Sequence, residues 1–217
     1  MRTAGTSLKQ RAIKYLVRQA HHPQGVVGWA NGWMFAHRPS NRQRNLWAVS
    51  LLDVRPTDRV LEIGFGPGVA IAALAGRAKR GHVFGVDHSK AMVRHAARRN
   101  AAAIRARRVQ LTHASVERLP SFGDPLDAIL AVNSVGFWPD PVVRLRELRR
   151  LLRPAGRIAL VSQPRCPGAT RDTTVRAAQE LRDLLTEAGF TDTRVNTLDL
   201  DPPVAWVLAT NPTDMTS

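Results

Sequence analysis

The 217-residue chain is predicted to be an α/β protein: a seven-stranded, mostly parallel, doubly wound sheet with a C-terminal antiparallel hairpin and an N-terminal helical cap. Three observations carry this. From Asp58 onward, short apolar runs alternate with helical segments through short connections, the pattern of a largely parallel sheet. The run Val60-Leu61-Glu62-Ile63 enters Gly64-Phe65-Gly66-Pro67-Gly68, a glycine at every second position with an acid just before the first. Nineteen residues after Gly68, Asp87 ends a second apolar run, Val83-Phe84-Gly85-Val86. A strand, a glycine turn, a helix and a second strand ending in a carboxylate form the front half of a nucleoside-binding α/β unit.

Residues 1–52 are read as a helical cap and 53–217 as the main domain. The cap holds two predicted helices, Ser7–Ala20 and Arg42–Asp53, with Ser40 or Asn41 able to cap the second. Strand one is expected over Arg59–Ile63, followed by a helix from Pro67 to Arg77, where proline suits the first turn. Strand two is His82–Val86, and Ser89 caps a helix running to Ala101. Strands three and four are Val109–Thr112 and Leu126–Val132. The helix Pro141–Leu152 ends in arginines that suit its negative end, Pro154 and Gly156 stop it, and strand five is Arg157–Ser162. A helix over Thr173–Ala188 is ended by Gly189. The apolar runs Thr191–Leu200 and Val204–Thr210, joined by a short turn, should pair antiparallel at the sheet edge.

Composition bounds the function classes. An apolar fraction of 44% is ordinary for a globular domain with a sizeable core. A single cysteine, Cys166, allows neither an intrachain disulfide nor a cysteine-based metal site, and no metal is expected. Lys9, Arg11, Lys14 and Arg18 interrupt any leader-like apolar core, and no run of 18 apolar residues exists to span a membrane, so a cytoplasmic enzyme is the expectation. The net charge of +15 would suit nucleic acid, an anionic membrane or an acidic substrate. Only four lysines contribute, and abundant arginine with abundant alanine is also what a high-GC coding bias produces. The densest basic stretch, Arg94 to Arg108, contains no aromatic residue for base stacking and reads mainly as solvated surface.

The glycine spacing separates ligand classes. A dinucleotide fingerprint needs Gly-x-Gly-x-x-Gly before a pyrophosphate; here the third glycine comes one residue early and Val69 takes its place. Glu62 would repel a pyrophosphate but suits an ammonium and a sulfonium. These residues resemble motif I of the class I S-adenosylmethionine-dependent methyltransferases. Gly85-Val86-Asp87-His88-Ser89 with Met92 resembles the second motif, and Leu119-Pro120, Asp127–Leu130 and Trp138–Pro141 are similar to the family's strand-four region. Leu151-Leu152-Arg153-Pro154-Ala155-Gly156 resembles its turn before strand five. The resemblance covers residues 58–210 and is nearest in texture to the small-molecule branch with the quinone-biosynthesis enzymes.

The resemblance implies S-adenosyl-L-methionine as cofactor. It implies Glu62, Gly64, Phe65, Gly66 and Gly68 around the turn, Asp87 on the ribose hydroxyls, His88 and Met92 flanking the adenine, Ser115 and Val116 at its edge, and Asn133 after strand four. One position departs from the family pattern: Ser115 stands where an aspartate commonly meets the adenine amino group, so charge assistance there is expected to be lost.

The sulfonium is already activated, so alignment and desolvation supply much of such a reaction, and a base is needed only for an acceptor that holds its proton. His21, His22 and His37 are the weak candidates for that base. Trp29, Trp33, Phe35, Phe137 and Trp138 would line a pocket for a small apolar or aromatic acceptor. Nucleic-acid methylation is disfavoured: Asp201-Pro202-Pro203-Val204 has the letters of an amino-methylating motif in the wrong place, and Cys166 lacks a Pro-Cys partner after strand four. The alternative is a non-catalytic or nucleic-acid-directed member of the fold that holds RNA or an anionic membrane on its basic surface. A dehydrogenase ranks third.

Overall fold

Seven strands form one sheet in the order β3-β2-β1-β4-β5-β7-β6 in the computed structural model, which describes residues 39–164 and 168–213. The strands are β1 (Arg59–Ile63), β2 (His82–Asp87), β3 (Val109–His113), β4 (Leu126–Val132), β5 (Leu152–Ser162), β6 (Thr191–Leu198) and β7 (Val204–Thr210). The first five run parallel, and β7 inserts antiparallel between β5 and β6. The expected α/β class, the parallel body and the terminal antiparallel pair are all present. The order reverses between β1 and β4, and the crevice outside their C-terminal ends is where open α/β sheets take ligands.

Side-chain alternation along the strands builds a core on each face of the sheet. On one face Val60, Val83, Ala128, Leu130, Ala159 and Val161 pack under helices α1 (Pro39–Leu51), α2 (Val69–Arg77), α3 (Lys90–Arg99) and α4 (Ala101–Arg105). On the other, Leu61, Ile63, Phe84, Val86, Ile129 and Leu160 pack under α5 (Pro141–Leu151) and α6 (Arg171–Glu187). Glu62 and Asp87 have the parity of Val60 and Val83, so both turn toward the α2 side.

Several boundaries moved. Helix α1 begins at Pro39, three residues before the expected start, because Pro39 occupies its first position. Asn41, expected as a cap, lies inside the helix, where its side chain accepts from the Arg44 guanidinium. Ala48, Val49 and Leu52 are buried with α2, so α1 packs as part of the helical layer. The helix expected from the Ser89 cap to Ala101 ends at Arg99, and an unexpected short helix, α4, follows it across Asn100, whose backbone N–H donates to Ala96 O at 2.9 Å while its own carbonyl accepts from Ile104 at 3.0 Å.

Strand β5 begins at Leu152, five residues early, and runs through Pro154 and Gly156. A register shift opposite Leu126–Ala128 absorbs the proline, and Ala155 N donates to Asn211 O at 2.9 Å. Helix α6 starts at Arg171 because Thr170 and Thr173 form a reciprocal capping box. The predicted helix Ser7–Ala20 lies outside the described residues.

Candidate functional site

The C-terminal ends of β1 and β2 bring two carboxylates to one turn. Asp87, 5% exposed, accepts 2.8 Å hydrogen bonds from Gly66 N to Oδ2 and from Ser89 N to Oδ1. Each oxygen keeps a further acceptor direction. Burial raises its pKa, opposed by those two N–H donors and by His88 and His113 nearby.

Glu62, 1% exposed, lies deeper. Burial, reinforced by the charge of Asp87, pushes its carboxyl well above the usual range, while the Ile71 N–H in the first turn of α2 acts against the shift. That N–H belongs to a helix whose N-cap, Gly68, offers no side chain, and the glutamate at the end of β1 faces the first turn of the helix. Its Oε2 has no hydrogen-bond partner among the described residues.

The three glycines of the turn have different roles. A Cβ on Gly66 would meet nothing within 4 Å, and its φ of +52° disfavours any side chain. This is the open cradle beside the carboxylates. A Cβ on Gly64 would sit 2.5 Å from Ser134 Cβ, and Ser134 Oγ ties that contact down by donating to Ile63 O at 2.8 Å. A Cβ on Gly68 would sit 2.7 Å from Ala96 Cβ and 2.8 Å from Asn100 Nδ2 of the neighbouring helix. Packing within the protein therefore excludes a side chain at Gly64 and Gly68, whereas Gly66 borders open space. Phe65 also turns inward, buried beneath Gly85, whose missing Cβ makes room for its ring. Ser134 was missed in the sequence because nothing local marks a serine that packs on a glycine 70 residues away.

At the β2–β3 edge, His88 is exposed, and its carbonyl oxygen lies 2.9 Å from His113 Nε2. Met92 is buried outside both core clusters, and its N–H meets the Ser89 cap at 3.4 Å. Ser115 closes a small turn: Oγ accepts from Glu117 N and donates to Glu117 Oε2, both at 3.1 Å. The hydroxyl retains one lone pair, polarised by a carboxylate that motif reading overlooked. The Val116 side chain is in the core.

After β4, Asn133 adopts φ +53° and its Oδ1 accepts from Gln163 N at 2.7 Å, clamping the ends of β4 and β5. Gln163 continues the chain of bonds, with Nε2 to Pro202 O at 2.8 Å and Oε1 to the buried Arg44 at 2.7 Å. Phe137 is 56% exposed beside this end, whereas Trp138 is 8% exposed and packs in the core with Leu145 and Leu148. Trp138 is thus corrected from a pocket wall to a packing anchor. Trp29, Trp33, Phe35, His21, His22 and His37 lie outside the described residues.

The donor set fits S-adenosylmethionine. An orphaned buried carboxylate oxygen calls for a cation or a hydroxyl, the space over Gly66 admits a ligand against the backbone, and the Glu62 carboxyl beside the turn disfavours a pyrophosphate. Comparison with known proteins agrees. The family described as "Methyltransferase domain" matches residues 60–156. The uncharacterized methyltransferase YdaC of Bacillus subtilis (strain 168) is 30% identical over 76% of this chain and 89% of its own length. A ubiquinone/menaquinone biosynthesis C-methyltransferase of Geotalea daltonii is 28% identical over 58% of this chain and 54% of its own. The N-methyltransferase NodS of Bradyrhizobium japonicum, solved with S-adenosyl-L-homocysteine, superposes with a TM-score of 0.68 at 17% identity, covering 92% of this chain and 98% of that one. A buried acid pair over an open glycine cradle, in a chain with such relatives, places this protein in the class I S-adenosylmethionine-dependent methyltransferase family.

Proposed function

We propose that the protein methylates a small apolar or aromatic molecule by in-line displacement. The carrying observation is the pair Glu62 and Asp87 around the unobstructed Gly66. The bound cofactor supplies an activated methyl group on a sulfonium. Asp87 accepts from the ribose hydroxyls through its remaining lone pairs while the Gly66 and Ser89 N–H groups hold it in place. Glu62 offers the unpartnered oxygen of its buried carboxyl to the cationic end of the ligand, whose charge would offset the burial that raises its pKa. Ser115, backed by Glu117, receives the adenine amino group, with His88 and Met92 on either side of the ring.

Phe137 presents an exposed ring beside the ends of β4 and β5, and the Asn133–Gln163–Arg44 chain fixes the polar floor behind it. Three relatives carry names from quinone biosynthesis, which favours an aromatic acceptor. The test pairs calorimetry of S-adenosylhomocysteine binding with a panel of phenols, quinols and hydrophilic amines, scored by release of demethylated cofactor. Turnover of amines alone would sink the apolar-acceptor reading.

A further inference from the structure

The charge of this protein is segregated along the chain. Residues 1–116 hold 20 Lys/Arg against four Asp/Glu, and residues 117–217 hold 12 against 13. Arginine itself is nearly even, 16 in the first segment and 12 in the second. A coding bias toward arginine would act everywhere and explains that evenness, but it does not explain the depletion of acids from one segment. Three of the four acids in the first segment, Asp58, Glu62 and Asp87, are buried, which leaves Asp53 as its one exposed carboxylate.

The fold turns this into a surface property. Helices α1 to α4 all lie on one face of the sheet. Arg77, Lys79, Arg94, Arg98, Arg105 and Arg107 are exposed there with no carboxylate among them. On the opposite face, α6 alone balances three arginines with four acids.

We propose that the α1–α4 face docks the protein on an anionic lipid bilayer. Clustered cations near such a surface each raise partitioning by roughly fivefold at moderate salt. No large apolar or aromatic side chain is exposed on α2, α3 or α4, so single-stranded nucleic acid would find no stacking platform. The one large apolar side chain exposed in this layer is Leu46, on α1, suited to shallow contact with the headgroup region. Helix α1 also joins the basic layer to the acceptor end, since Arg44 donates to Gln163 beyond β5. The preference for a bilayer over a duplex nucleic acid rests on the apolar-acceptor reading, because an apolar acceptor partitions into membranes and docking would bring the site to it. No described helix is long and apolar enough to cross a membrane, so the contact would be peripheral.

The test is co-sedimentation of the full chain with vesicles of phosphatidylcholine containing about 30 mol % phosphatidylglycerol, with pure phosphatidylcholine vesicles, and with a duplex oligonucleotide as competitor. Binding to the anionic vesicles is expected at about 50 mM salt, falling at least tenfold by about 300 mM, with none to the neutral ones. The variant R77E/R94E/R98E/R105E should lose at least tenfold while its S-adenosylhomocysteine affinity is unchanged. The pair R176E/R182E on α6 should lose nothing. Should the quadruple variant fail to bind S-adenosylhomocysteine, R94E/R98E alone decides. Absence of binding to anionic vesicles, equal loss in both variants, or displacement by equimolar duplex would overturn the proposal. Vesicle binding is read without any acceptor, so a docked protein that turned over only hydrophilic amines would sink the acceptor reading and leave docking standing.

Discussion

The cofactor end and the proposed acceptor end of this sheet edge are built by opposite means. Glu62, Gly66 and Asp87 come from one short β1–α2–β2 unit, and the parallel register of two adjacent strands brings them together. The acceptor end joins Arg44 to Gln163 across 119 positions and Gln163 to Asn133 across 30. A ligand common to a whole family can be held by one contiguous unit. A ligand particular to one member is met by side chains gathered from distant loops, which vary freely. The electrostatics differ as well: the cofactor end concentrates two strained carboxylates, whereas the acceptor end shows amides and a buried cation.

The sharpest way to break this contrast is Asp87→Ala. Two hydrogen bonds to a charged acceptor are lost, each of order 1.5–3 kcal/mol, so S-adenosylhomocysteine affinity should fall at least ~100-fold. Cooperative thermal unfolding should persist. Retained affinity in calorimetry would show that the sugar lies elsewhere.

Next come the two neighbouring aromatics. Trp138→Ala should destabilise the fold by about 3–5 kcal/mol, as removal of a core ring does. Phe137→Ala should leave stability within about 1 kcal/mol and raise KM for the acceptor, not for the cofactor. A stable Trp138→Ala protein in denaturant titration would return that ring to the pocket.

The glycines give a smaller but cleaner split. Gly66→Ala and Gly68→Ala share the left-handed backbone penalty of about 1–2 kcal/mol. Only the second also strikes Ala96 and Asn100, so it should unfold earlier. Gly66→Ala should instead lose cofactor affinity beyond its stability change. Equal melting temperatures and equal affinities for the two variants would dissolve the distinction between cradle and packing glycine.

The smallest expected effect concerns pH. Glu62 and Asp87 have folded pKa values raised above their ordinary ones, so between the two values the folded chain binds more protons than the unfolded chain. Ligand-free stability is therefore greatest below the ordinary carboxylate range and declines as pH rises through the raised values. Cofactor affinity should run the other way, weakening as the acids protonate. Glu62→Gln should raise the ligand-free Tm at neutral pH by about 2–4 °C, the shift that ~1 kcal/mol gives in a chain of this size, and flatten its pH profile. A lower Tm would mean that the Ile71 N–H contact outweighs the buried charge.

Motif I and Asp87 were legible because strand periodicity, glycine spacing and a terminal acid are local signals, and the parallel sheet with its terminal antiparallel pair followed from alternation with short connections. Strand β5 was read five residues short because proline and glycine locally argue against a strand, while pairing with β4 and with Asn211 overrides that preference. The local role of Ser115 was half legible: the departure from the family's aspartate was visible, but the Glu117 contact exists only once the turn closes.

What the sequence by itself determined is the parallel α/β architecture, the donor-seeking acids beside a glycine turn, and hence the cofactor class. These depend on interactions between residues close in the chain or on adjacent strands. Only the tertiary structure decided which glycine faces open space, that Trp138 is core, and that the basic helices α1 to α4 share one face. Those outcomes depend on what packs against each residue across the sheet, and a linear pattern carries no record of that.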